Sequence, residues 1–252
     1  MKIGSWNVNG IRAVQKKGFI DWLKSSDYDI LAIQETKANP DQLDDELISI
    51  EGYYSAFMSA EKKGYSGTAI YSKEIPISVE PLGNPEFDSE GRVLIATFSK
   101  FTLVNCYFPN SQDEGKRIDY KIDFCNAVLE KCSNLISSGK NVIICGDFNI
   151  AHKPIDLARP AQNVGNPGYL PAERNWMDLF INSGWIDTFR LFTSEGNHYS
   201  WWSYRFGARE KNIGWRIDYH CVNASFADQV LEAKIHPEIE GSDHCPVSIL
   251  LK

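Results

Sequence analysis

The sequence predicts an α/β protein whose sheets are covered by helices, on three observations. Short runs rich in β-branched and aromatic residues alternate along the chain with stretches of helical period. Some runs, such as NVIIC, are apolar on both faces, while others alternate like members of a sandwich. No Pro/Ser-rich linker, low-complexity tract or short repeat interrupts the pattern, so residues 1–252 are expected to form one domain.

KIGSWNV (2–8) opens the chain as a strand, and a short helix is expected around Gly18–Ser25. DILAIQ (29–34), YYSAFM (53–58) and GTAIYSK (67–73) follow as strands bounded by turn-forming residues. RVLIATF (92–98) and FTLVNCY (101–107) are the next two. The clearest helix runs from Arg117 to Ser137, where Ile118, Ile122, Cys125, Leu129, Cys132 and Ile136 step by four and three and draw one apolar face. After the strand NVIICG (141–146), the span His152–Tyr169 has no regular pattern and is too long to be idle in a compact fold, which marks a functional loop. PAERNWMDLFINSG (171–184) begins with Pro, carries Glu early and ends at Gly, as helix termini favour. RIDYHCV (216–222) and PVSILL (246–251) complete the strands.

With 43% hydrophobic and 12% aromatic residues, the chain lies outside the disordered range. No stretch is long enough to span a bilayer, and MKIGSWNVNG has no apolar run of signal-peptide length. Cys106, Cys145 and Cys221 fall in apolar strand-like runs and Cys125 and Cys132 on a helical stripe, with no CxxC, so buried free thiols and a cytoplasmic address are expected. The formal charge of −7 argues against indiscriminate binding to nucleic acid, though a local basic face can coexist with an acidic whole.

Polar residues gather where strands end. Asn7 and Asn9 follow the first strand, Glu35 the second, Tyr107 and Asn110 FTLVNC, and Asp147 and Asn149 NVIIC. Asp218 sits inside an apolar strand and needs a partner there; Asp243 and His244 precede the last strand. Ligands of layered α/β folds bind at strand ends, so these residues are expected to meet in one active site. Any one alone reads as a turn or a solvated charge. Carboxylate and amide oxygens without thiolates favour Mg²⁺, with Mn²⁺ as a substitute, over Zn²⁺. A hard cation beside an acid, an amide and an imidazole suits hydrolysis of a phosphate ester.

WNVNGIR, QETK, GYSGTAIYSK, YFPNS, GDFNIAH, WWSYRFGAREKNIGWRIDY and GSDHCPV together resemble the exonuclease III family of apurinic/apyrimidinic endonucleases, within the DNase I-like metal-dependent phosphoesterases. The resemblance runs from Trp6 to Val247, and its long WWSYRFGAREKNIGWRIDY stretch is the most specific part. It implies a four-layered sandwich, two mixed β-sheets packed face to face with helices outside. It implies cleavage of double-stranded DNA on the 5′ side of abasic sites, leaving a 3′-hydroxyl and a 5′-deoxyribose phosphate. Unblocking of 3′ ends and 3′→5′ exonuclease activity are implied as secondary activities, by a monomer with no membrane partner.

By the same resemblance Glu35 holds the metal with Asn7 close by and Asp243 contributing. Asp147 activates water, Asn149 helps hold that water and the phosphate, His244, oriented by Asp218, bonds a phosphate oxygen, and Tyr107 contacts the phosphate or helps the leaving oxygen depart. Trp201, Trp215 and Ile217 match a pocket for a baseless sugar. Asn110, Asn163 and Asn166, with Arg12, Lys16, Lys17, Lys62, Lys63, Tyr65, Arg205, Arg209, Lys211 and Arg216, are expected along the DNA backbone. Two departures stand out: Gln112-Asp113-Glu114 is acidic where several relatives carry an arginine, and Asn9 replaces an acid present in some.

Overall fold

A computed structural model describes residues 1–252. The first half contains β1 (Lys2–Asn7), α1 (Ile11–Gln15), α2 (Phe19–Ser25), β2 (Ile30–Gln34), α3 (Asp45–Ile48), β3 (Tyr54–Met58) and β4 (Thr68–Ser72). Then come β5 (Ser78–Glu80), α4 (Pro85–Asp88), β6 (Val93–Thr97), β7 (Thr102–Tyr107), α5 (Ile118–Ser137) and β8 (Val142–Asp147). The remainder holds α6 (Pro160–Asn163), α7 (Pro171–Asn182), β9 (Trp185–Asp187), α8 (Thr188–Phe192), β10 (Asp218–Asn223), β11 (Val230–Ile235) and β12 (Val247–Leu251).

The strands form two six-stranded mixed sheets, ordered β11-β12-β1-β2-β4-β3 and β5-β6-β7-β8-β10-β9. Ile3, Ile30, Ala32, Ile70 and Ile249 of the first sheet pack on Leu94, Leu103, Ile143, Cys145 and Val222 of the second, all of them buried. The outer face of the second sheet packs on α5 and α7 through Phe124, Val128, Trp176 and Phe180. That of the first packs on α1 and α2 through Ile11, Val14, Phe19 and Leu23. Helix, sheet, sheet, helix: the four layers are those expected. Each fully buried Ile, Leu or Phe in them contributes about 2 kcal/mol.

Register explains why the polar residues converge. β7 runs parallel to β8 and β10 antiparallel to it, so Tyr107 and Asp218 both pair with Asp147 in one row. In the first sheet β1 runs parallel to β2 with Asn7 beside Gln34, while β12 runs antiparallel to β1, which brings its leading residues to the same end. The face-to-face sheets are tied behind this end by Gln34, whose Nε2 donates to Ser5 Oγ at 3.0 Å and to Asn105 Oδ1 at 2.7 Å.

Three strands were not expected. β5 and β9 have three residues each, too few to show a period. β11 carries a bulge between Val230 and Glu232, which breaks the alternation that would have marked it. Strand β10 begins at Asp218, two residues later than RIDYHCV implied. The buried face of α5 is also turned from the expected stripe. Phe124, Cys125, Val128, Cys132 and Leu135 are buried, whereas Ile118, Ile122, Leu129 and Ile136 lie at its margin.

Candidate active site

The site grows from β8. Gly146 lies at φ 133°, and a Cβ there would meet the Cys106 carbonyl oxygen at 1.9 Å, so only glycine lets β8 run this close to β7. Asp147 follows as the last strand residue, and the chain then turns through Asn149 at φ 51°. In that conformation the Asn149 N–H and Nδ2 both donate to Asp147, at 2.8 and 3.0 Å, and Nδ2 also reaches the Phe108 carbonyl at 3.0 Å. Asn110 Nδ2 donates to Asn149 Oδ1 at 3.3 Å.

Asn7, at the end of β1, uses one amide group to join the two sheets. Its Nδ2 donates to Asp147 Oδ2 and to Glu35 Oε1, both at 2.9 Å. Glu35 sits at φ 55° just past β2, with Lys37 Nζ 2.7 Å from its other oxygen. Burial works against charge on Glu35, but Lys37 and the Asn7 amide outweigh it and hold the carboxyl below its usual range. Asp147 goes the other way. Its burial, with Asp218 and Glu35 nearby, prevails over His244 and Asn7 and pushes the carboxyl up to about 7.

His244 Nδ1 lies 2.9 Å from Asp218 Oδ2, and Nε2 lies 3.8 Å from Asp147 Oδ2. Burial disfavours the imidazolium, but Asp218 and then Asp147 overcome it and push the group up to about 10. Nδ1–H therefore donates to Asp218, and Nε2–H points toward Asp147. The Asp218 side chain needed a partner, as expected, and one oxygen has it; the other, Oδ1, is buried with no partner. Burial and neighbouring Glu35 raise the Tyr107 phenol well above its ordinary value, which leaves a neutral donor.

Trp201, Trp215 and Ile217 share one cavity of about 240 Å³ with Glu35, Tyr107, Asn110, Asp147, Asn149, Asp243 and His244. Trp201 and Trp215 exchange backbone hydrogen bonds at 2.9 Å, and their rings meet edge to face at 6.2 Å. Asp243 Oδ2 accepts from Trp201 Nε1 at 3.0 Å and Oδ1 from Asn9 Nδ2 at 2.9 Å. Asp243 thus orients the pocket wall and reaches Glu35 indirectly, through Asn9 and then Lys37 or Asn7. The tightest group of possible ligand atoms is Asp147, Asp218 and His244, within 4.8 Å of one another. A protonated imidazole bonded to a carboxylate is a poor ligand, so Glu35 is the better donor for a hard cation, with the Asn7 oxygen, which also accepts from the Asn9 N–H at 3.0 Å, close by. The ammonium of Lys37 against Glu35 shows that the position accepts positive charge.

The expected DNA contacts divide. Arg12 and Lys17 are exposed and line, with Lys16 and Lys37, a depression of about 820 Å³ beside the Glu35 strand end. Asn163 and Arg205 line a second depression of about 580 Å³ that shares Trp201 and Trp215 with the site, and Asn166 Nδ2 donates to Asn163 Oδ1 at 3.0 Å. The irregular span expected to be functional therefore lies against the pocket. Tyr65 is not free: its hydroxyl accepts from Arg92 at 2.7 Å and from Arg117 at 3.1 Å. Arg216 is a correction. It is buried between Asp156 and Asp187 at 2.8 and 2.7 Å and cannot contact a phosphate. Arg209 likewise spends its guanidinium on the carbonyls of Ser242, Pro237 and Ile239. Neither is distinguishable from a surface cation in a polar stretch of sequence. Arg92, missed for the same reason, lies 4.7 Å from the Tyr107 ring centre and donates to its carbonyl.

The chain matches the Endonuclease/Exonuclease/phosphatase family over residues 4–244. It is 44% identical over 254 residues to an exodeoxyribonuclease of Bacillus subtilis (strain 168), covering 100% of this chain and 99% of that one. A DNA-(apurinic or apyrimidinic site) endonuclease of Dictyostelium discoideum is 36% identical over 256 residues, covering 100% of this chain and 70% of the relative. The crystal structure of the Xenopus laevis APE2 catalytic domain superposes with a TM-score of 0.90 at 33% identity, over 100% of this chain and 92% of that one.

Proposed function

The chain belongs to the Endonuclease/Exonuclease/phosphatase family, and from that premise we propose that it hydrolyses the DNA backbone on the 5′ side of abasic sites. Removal of 3′ blocking groups and 3′→5′ exonuclease activity are the accompanying reactions. One observation carries this reading: an apolar pocket of two indoles and an isoleucine opens into the same cavity as Asp147 and His244. The Trp201, Trp215 and Ile217 walls of this cavity suit a baseless sugar flipped out of the duplex.

Asp147, aimed by the Asn149 amide, accepts the proton of a water, and that water attacks phosphorus opposite the 3′ oxygen of the preceding nucleotide. The P–O3′ bond breaks, the departing 3′ oxygen takes a proton from solvent water to become a 3′-hydroxyl, and a phosphate remains on the 5′ carbon of the abasic sugar. His244 Nε2–H, kept on the ring by Asp218, donates to a non-bridging oxygen as charge builds there. Burial and Glu35 keep the Tyr107 phenol protonated, and it donates a hydrogen bond to the phosphate. Mg²⁺, or Mn²⁺ in its place, would be held by Glu35, with the Asn7 oxygen close by, and would neutralise charge on the phosphate. Arg12, Lys16, Lys17 and Arg205 grip the flanking backbone of the duplex. Residues 1–252 act as one catalytic domain and a monomer. Six buried free cysteines suit a reducing, cytoplasmic compartment.

The test is a pair of duplexes, one with a single abasic analogue and one intact, incubated with Mg²⁺ or with EDTA. Nicking 5′ to the analogue, absent with EDTA and absent from the intact duplex, is the expected result. Equal rates on both duplexes would remove the pocket from the account.

A further inference from the structure

Two helices outside the second sheet bury opposite charges against each other beneath the catalytic loop. Lys121 of α5 and Glu173 of α7 have side chains with 0% exposure, and Lys121 Nζ lies 2.7 Å from Glu173 Oε1. Exchanging a buried ion pair for apolar groups of similar volume is often neutral or stabilising. Beyond the capping bond that Glu173 makes at the start of α7, stability gives little reason for charge here. What the pair reaches gives one. Lys121 Nζ also donates to the Asn149 carbonyl at 2.7 Å. Glu173 accepts from the Ser111 hydroxyl through Oε1 and from the Leu170 N–H, at 2.8 Å, through Oε2. Ser111 follows Asn110, and Leu170 lies two residues past Gly168; Asn110, Asn149 and Gly168 all line the active-site cavity.

One buried pair thus holds the three loops that carry one side of the site. Asn149 sits at φ 51°, a left-handed state that asparagine tolerates but an ordinary side chain does not, so its aim depends on what fixes the loop. That state aims both its N–H and its side-chain amide at Asp147. We propose that Lys121 and Glu173 are positioning residues for hydrolysis. Lys121 fixes the Asn149 carbonyl and so the aim of its amide, and Glu173 locks that loop to the Asn110 and Gly168 loops. The kinetic part of this inference rests on the hydrolase reading above.

Lys121→Met alone strands a buried carboxylate and can prevent folding. The decisive protein is Lys121→Met/Glu173→Leu, which removes both charges at similar volume. It is expected to fold but to melt below the parent, because the Asn149 carbonyl, the Ser111 hydroxyl and the Leu170 N–H lose their partners. Its kcat on an abasic duplex should fall roughly 10- to 100-fold, as for lost outer-shell partners elsewhere, with KM within about threefold. The Asn149 and Arg117 amides, which donate to Asp147 and to the Ser111 carbonyl, should exchange faster with solvent. Lys121→Met/Glu173→Gln, which leaves no buried charge and keeps the carboxamide's shape, should show the same kcat loss at unchanged KM, and it serves where the Leu variant does not fold. A folded variant of either kind with kcat within about twofold of the parent overturns the proposal. Should the parent itself nick no abasic DNA, the hydrolase reading fails and exchange alone decides. Faster exchange at both amides then upholds the positioning role, and unchanged protection refutes it.

Discussion

Glu35 and Asp147 accept hydrogen bonds from the same Asn7 amide at the same 2.9 Å, yet the two sides of the cavity treat them oppositely. Glu35, on the first sheet, keeps 15% side-chain exposure and an ammonium beside it, and its charge is favoured. Asp147, on the second sheet, is closed in at 1% with other carboxylates near, and its charge is resisted until about pH 7. Paired carboxylates whose surroundings drive them apart mark a division of labour. The permanently charged acid suits a cation; the one poised near neutrality suits proton transfer. A short linear motif cannot convey this difference, because burial and neighbours create it.

Substitution of each acid is the sharpest way to break that contrast. Asp147→Asn should lower kcat on an abasic duplex by roughly 10²–10⁴-fold, and excess Mn²⁺ should not restore it. Glu35→Gln should be slowed too, but excess Mg²⁺ or Mn²⁺ should recover part of its rate. Equal rescue of both proteins would erase the distinction.

The pH profile sharpens it further. Asp147 works deprotonated, so the rate should climb as pH rises through about 7, and His244 works protonated, so it should decline as pH passes about 10. Asp218 is the foremost group holding the imidazolium against burial, so Asp218→Asn should bring the alkaline limb to lower pH. A cation near Glu35 favours the Asp147 carboxylate, so raising Mg²⁺ should move the acid limb downward. An alkaline limb that stays in place in Asp218→Asn would disconnect that residue from His244. The smallest effect is expected at the pocket: Trp215→Ala should lose about tenfold in preference for abasic over intact duplex while cutting both, measured as a ratio of kcat/KM.

Much of this was legible before any coordinates, for a physical reason. A buried strand must be apolar, so a polar residue at its end stands out, and Asn7, Glu35, Tyr107, Asp147, Asp218 and His244 were all visible that way. That they share one end of the fold depends on strand direction, which KIGSW, NVIIC and RIDYHCV do not disclose. Lys121 and Glu173 lay hidden because charges on amphipathic helices ordinarily face water, and these two point inward at each other. Arg216 misled in reverse: set among aromatics and cations, it reads as a phosphate contact until Asp156 and Asp187 are seen around it. β11 escaped because its bulge gives burial a period unlike that of a strand.

Metal binding, followed by titration calorimetry of Mn²⁺ into the DNA-free protein, tests the division of the two acids without any turnover. The account predicts that Glu35→Gln weakens the cation at least about tenfold, while Asp147→Asn leaves it within about threefold of the parent. Loss of the cation from Asp147→Asn to the same degree as from Glu35→Gln would show both carboxylates serving the metal, and the account would fail.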